Sequence, residues 1–119
     1  MKNFRNLKIW EKSHSLTLDI YKFTSSYPKE ELYGLISQMR RSSASIPSNI
    51  AEGCGRNTQP QLARFLNIAF GSASELEYQL ILSKDLEFID KKTFKILLKK
   101  VTEIKRMLAS LLKKVQADS

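Results

Sequence analysis

Apolar positions along this chain recur at helical spacing from one end to the other, and nowhere alternate as a strand would. In "LKIWEKSHSLTLDIYKF" they fall at Leu7, Trp10, Leu18 and Tyr21, with Ile9, Leu16, Ile20 and Phe23 beside them. That wide stripe predicts a first helix over about 7–24, with Trp10 and Tyr21 as core anchors. "SSYPKEE" ends it, because serines and a proline favour a turn and the residue before proline resists helical geometry. A second stripe, Leu35/Ile36, Met39, Ile46 and Ile50, predicts a helix over about 34–52 closed by Gly53. Thr58, Pro60 and Gln61 form a helix start, a capping residue followed by a proline in the first turn and a Thr-x-x-Gln box. The helix they open carries Leu62, Phe65/Leu66, Ala69, Ala73, Leu76 and Leu80 and is expected over 59–86. Asp90 opens the last, 91–116, with Ile89 and Phe94 placed as a hydrophobic staple. There Phe94, Leu97, Val101, Ile104, Leu108, Leu111 and Val115 step by threes and fours, the period of a bundle seam. Four amphipathic helices joined by short links predict an all-α fold, an antiparallel up-and-down four-helix bundle, as a single domain spanning 1–119.

The segment "RRSSASIPSNIAEGCGR" resists this simple reading, since it places Pro47 inside the second helix. Proline removes one backbone hydrogen bond and crowds the carbonyl four residues earlier, that of Ser43, at a cost of about 3 kcal/mol in an ordinary helix interior. Ser42, Ser43, Ala44 and Ser45 offer nearby hydroxyls for compensation and small side chains for close helix approach. Gly71 in "FGSAS" suggests a similar close approach in the third helix. A phosphate-binding loop is a poor alternative, because "GCG" lacks a preceding strand and the Gly-Lys-Ser/Thr ending. A nucleophilic site built on Cys54 or the serines lacks an adjacent base and a Gly-x-Ser-x-Gly elbow. One cysteine and one histidine, His14, do not make a structural zinc site, and His14 reads as an interface or surface residue.

Charge adds a second theme. Residues 91–119 hold nine Lys/Arg against two acids, so +7 of the formal +8 belongs to the last helix. Such a stripe is a solubilising face by default, but nine bases with two acids exceed a mixed surface and would attract a polyanion. With Phe94 alone interleaved there, and in the seam, backbone contact with folded RNA fits better than base stacking. The candidate contacts are Lys92, Lys95, Lys99, Lys100, Lys105 and Arg106, joined by Arg40, Arg41 and Arg56 as a phosphate-binding cluster. The alternative for the arginines is structural: Arg40 or Arg41 is expected to pair with Glu75 or Glu77 of the third helix. Arg41, Ser45, Ser48 and Glu52 share one helix face beside the core stripe, as a helix or subunit boundary would require. No apolar run approaches the roughly 20 residues needed to cross a bilayer, and the start has no signal-like core, so a cytoplasmic protein without membrane contact is expected.

Three separated stretches, "FRNLKIWEKSHSLTLDIYKFTSSYP", "YGLISQMRRSSASIPSNIAEGCGR" and "FLNIAFGSASELEYQL", closely resemble the bacterial four-helix-bundle family encoded in intervening sequences of 23S ribosomal RNA genes. The resemblance covers about residues 4–90. It rests on Tyr33-Gly34-Leu35, Gln38, Arg40, Arg41, Ile46, Pro47, Asn49, Ile50, Ala51, Glu52, Gly53, Gly55 and Arg56, then Phe65, Leu66, Ala69, Gly71, Ser72 and Glu75. It implies a ring-like homo-oligomer, a homopentamer, and no cofactor; the sequence itself shows no acid/base pair, metal set or nucleophile with its base, so an enzyme is not expected. The chain is also similar to the accessory protein of diversity-generating retroelements, which implies a second possibility, a scaffold that docks a protein such as a reverse transcriptase. One departure falls in "KDLEFID", where relatives carry a glycine-containing turn and this chain has Glu87. The sequence therefore supports a non-enzymatic basic bundle that binds RNA as an oligomer, with the protein-docking scaffold as alternative.

Overall fold

A computed structural model describes residues 3–118. Four α-helices, α1 (Lys8–Thr24), α2 (Ser37–Cys54), α3 (Gln59–Asp85) and α4 (Lys91–Ala117), run alternately up and down and pack together. α1 lies against α2 and α4, and α3 against α2 and α4, so α1 is diagonal to α3 and α2 to α4. The core is the continuous cluster of Leu16, Ile20, Met39, Ile46, Ile50, Leu66, Leu76, Leu80, Leu97, Val101, Ile104 and Leu108, all essentially inaccessible to solvent. Burying a Leu or Ile side chain stabilises by roughly 1.5–3 kcal/mol, which makes this cluster the main term holding the helices together.

α1 buries a different stripe from the one its apolar pattern suggests. Ile9, Ser13, Leu16, Thr17 and Ile20 face inward, whereas Leu18 and Tyr21 are exposed and Trp10 and Phe23 half-buried. Two polar positions, Ser13 and Thr17, thus belong to the core face, because each hydroxyl bonds a backbone carbonyl and so satisfies itself without water.

The link from α1 to α2 is built of short turns. A 3₁₀ turn at Lys29–Glu31 runs into a π turn at Leu32–Ile36, in which Gly34 leaves helical geometry (φ −112°, ψ −110°). Regular α2 consequently begins at Ser37 rather than at 34. At its other end α2 continues past Gly53, which is buried inside the helix instead of closing it. A Cβ at Gly53 would lie 3.0 Å from both Leu62 Cδ1 and Phe65 Cβ, so glycine here permits α2 and α3 to touch.

Pro47 lies within α2. The Ser43 carbonyl it leaves without an N–H donor accepts a hydrogen bond from Thr17 Oγ1 of α1 at 2.9 Å. Beside it, Asn49 Nδ2 donates to Ser45 O at 2.7 Å and to Ser45 Oγ at 2.9 Å, and Ser45 Oγ meets Ser72 Oγ of α3 at 2.8 Å. Ser42 Oγ donates to Gln79 Oε1 at 2.6 Å. Among the described residues no buried side-chain polar atom lacks a partner.

The later helices start on side-chain caps. Gln61 N–H donates to Thr58 Oγ1 and Thr93 N–H donates to Asp90 Oδ1 at 2.7 Å, the latter holding the Asp90 carboxyl below its ordinary range. α3 ends in a Schellman turn: Glu87 N–H donates to Lys84 O and Phe88 N–H to Ser83 O, with Glu87 in the left-handed region at φ 63°.

Candidate nucleic-acid interface

α4 owes its two faces to a division of residue types that only Ile96, exposed on the outer side, breaks. Leu97, Val101, Ile104, Leu108, Leu112 and Val115 are buried, with Phe94 and Leu111 half-buried beside them. On the opposite side Lys92, Lys95, Lys99, Arg106 and Lys113 are exposed. Their spacings of three, four, seven and seven residues set them in one row along the outer face, about 31 Å long at 1.5 Å per residue. None of the five makes an ion pair among the described residues.

The other two candidates on α4 sit on its flanks and are occupied. Lys100 pairs with Asp19 of α1, and Lys105 with Glu77 of α3 at 2.8 Å while lying 5.2 Å from the Phe70 ring. A third cross-helix pair, Lys12 of α1 with Glu103 of α4 at 3.0 Å, completes the arrangement. Asp19 and Glu77 therefore neutralise the edges of α4, Lys12 engages the acid Glu103 of α4 itself, and the central row keeps its positive charge.

The three arginines do not join that row. α2 is diagonal to α4, so residues on its outer side face away from it. Arg40 is half-buried and ties α2 to the end of α1: Nε donates to Thr24 Oγ1 at 3.0 Å, Nη2 to the Tyr21 carbonyl at 3.2 Å, and the guanidinium lies 4.8 Å from the Tyr21 ring. This corrects the expectation that Arg40 pairs with Glu75 or Glu77, since Glu77 is taken by Lys105. Arg41 is exposed and makes no ion pair with either acid. Arg56 pairs with Glu52 at 2.7 Å and lies over the Phe65 ring at 4.8 Å.

Asn49 and Pro47 belong to the α1–α2–α3 polar layer, and Gly53 to the α2–α3 contact. Gly71 does not serve close packing inside the chain, for a Cβ there would meet nothing within 4 Å. Glu75 is exposed. His14 is exposed and stacks on Trp10 (5.1 Å, 9° between planes), and Cys54 is buried. Among the described residues no three His, Cys, Asp or Glu side chains gather as metal ligands, and no helix is long and apolar enough to cross a membrane. Lys113, which completes the row, was legible in the sequence as one of the last helix's nine cations; only the helix face singles it out.

Fold and surface together define a small antiparallel four-helix bundle with one unneutralised basic helix face. The signature of the 23S rRNA-intervening sequence proteins matches residues 5–110, and the chain belongs to that family. It is similar to a solved structure from Bacteroides thetaiotaomicron VPI-5482, described as a protein with unknown function from the S23 ribosomal protein family. The two are 30% identical, with a TM-score of 0.79 over 88% of this chain and 95% of that one. None of the curated proteins compared matches the chain.

Proposed function

We propose that this protein is a non-catalytic, homo-oligomeric RNA-binding bundle that meets the phosphate backbone of a folded RNA with the outer face of α4. The observation carrying this reading is the row Lys92, Lys95, Lys99, Arg106 and Lys113, exposed and making no close ion pair among the described residues, with only Lys92 near an acid, Asp90. Unpaired cations in a line attract phosphates and release their counterions, whereas Lys100 and Lys105 would first have to give up Asp19 and Glu77. The row has no aromatic side chain to stack on a base, so the contact is with backbone and shape. Several copies would multiply a weak contact into a useful one by effective concentration.

The test is binding of the purified protein to a ribosomal RNA stem-loop and to an unrelated hairpin, at low and physiological salt, with the mass of the assembly recorded in the same runs. The reading expects preference for the ribosomal stem-loop that survives physiological salt. Weak, equal binding that salt abolishes would overturn it and leave a protein-docking scaffold as the better account, since apolar contacts persist in salt.

A further inference from the structure

Arg40 carries a half-buried positive charge that no acid balances. Besides its bonds to Thr24 Oγ1 and the Tyr21 carbonyl, Nη2 lies 3.4 Å from Ser25 Oγ. These partners are neutral, and among the described residues Arg40 makes no ion pair. Nη1 takes part in none of the three hydrogen bonds. The guanidinium is therefore held in place by Nε and Nη2 while its charge and two N–H donors remain unmet. Such a fork is ordinarily completed by the paired oxygens of a carboxylate or phosphate.

Arg40 also lines a half-open cavity of about 370 Å³ where α1 ends and α2 begins. That volume falls in the range of small-molecule sites, roughly 300–1,000 Å³. Tyr27, Leu32 and Ile36 give it an apolar wall, and Thr24, Ser25 and Lys29 a polar one. Leu32 and Ile36 are brought there by the π turn, an irregularity that recurs at functional sites. Leu32 stays 47% exposed, an apolar side chain at the mouth with little of the bundle covering it. Lys29 is exposed and makes no ion pair among the described residues. The acid nearest in sequence on this wall, Glu31, is engaged elsewhere, accepting the Leu35 N–H at 3.4 Å.

We propose that this cavity binds a small amphipathic carboxylic acid. Its carboxylate meets the Arg40 guanidinium, with Lys29 as a second cation, and its apolar body covers Tyr27, Leu32 and Ile36. A carboxylate suits the site better than a phosphate, because one guanidinium fork matches one carboxylate and the apolar wall would strip water from a dianion without replacing it. The apolar wall also separates this site from the α4 row, which offers cations without a cavity. Binding here goes beyond the RNA reading and does not depend on it.

The test is titration of the isotope-labelled full chain with 3-phenylpropionate, octanoate, the neutral 3-phenylpropanamide and inorganic phosphate, followed by amide chemical shifts. At least one of the two carboxylates should bind saturably, with shifts gathered on Thr24, Ser25, Leu32 and Ile36. The amide should bind about tenfold more weakly or not at all, since it lacks the charge that Arg40 answers. Arg40→Gln should weaken carboxylate binding about tenfold or more, and Arg40→Lys nearly as much, because lysine keeps the charge but not the fork. Arg40 also ties α2 to α1, so helicity is followed by circular dichroism and Leu32→Glu serves as a second variant. That change lies outside the regular helices and leaves the Arg40 bonds intact; it should abolish binding, through like charge at the apolar wall, with helicity unchanged. Absence of saturable binding by both carboxylates would overturn the proposal, as would equal binding of the amide or a Leu32→Glu variant that binds like wild type. Inorganic phosphate binding as tightly as the carboxylates would also overturn it, because the apolar wall would then contribute nothing.

Discussion

At Pro47 the chain omits one backbone donor, and the consequence is met from another helix. Thr17 Oγ1 lies 2.9 Å from the stranded Ser43 carbonyl and 3.0 Å from its own Ser13 carbonyl, so its single proton serves both buried acceptors. Thr17→Val keeps the shape and removes the donor, and should destabilise by about 1–3 kcal/mol, the range for leaving a buried acceptor unpaired. In a Pro47→Ala background residue 47 again carries an N–H, so the same change should cost about 1 kcal/mol less. Denaturant unfolding of the four proteins checks this coupling, and an equal cost in both backgrounds would contradict it. The sequence revealed the proline and the need for a donor, but pointed to the serines of its own helix. The actual donor is 26 residues away, and only the packing of α1 on α2 brings it there. Arg40 shows the same limit, since its acceptors Thr24 and the Tyr21 carbonyl are fixed by where α1 ends.

Among the helices, α4 was the most legible and α1 the least. Nine cations leave α4 one main apolar stripe, and burial follows it except that Phe94 is half-buried and Leu112 replaces Leu111 as the buried position. α1 carries apolar residues around most of its circumference, so periodicity did not separate the core residues Leu16 and Ile20 from the exposed Leu18 and Tyr21. Buried Ser13 and Thr17 disguised the inward face further. At the junction after α3 the sequence marked Glu87 only as a departure from the pattern of the family it resembles. Glu87 holds a left-handed conformation, φ 63°, that costs a non-glycine residue roughly 1–2 kcal/mol. Glu87→Gly should therefore stabilise by about 1 kcal/mol and raise the melting temperature by roughly 3–6 °C. Thermal unfolding that shows no rise would mean that the turn is held by something other than backbone strain relief.

Across the whole molecule, one list of basic residues resolves into surfaces with different work to do. The excess of charge was legible in the sequence, down to its concentration in residues 91–119. What was not legible is its division, because ion pairing depends on which helices lie beside α4. Asp19 and Glu77 engage Lys100 and Lys105, Arg40 binds α1, and Lys92, Lys95, Lys99, Arg106 and Lys113 are left as one row. The claim that this row meets RNA is tested most directly by the salt dependence of binding to the ribosomal stem-loop. Wild-type protein should give a log–log slope of about −4 for each copy whose five cations engage phosphates. Changing Lys95, Lys99 and Arg106 together to Gln should reduce the slope by nearly one for each residue, whereas changing Lys100 and Lys105 should alter it little. An unchanged slope in the triple variant, with binding intact, would contradict the account.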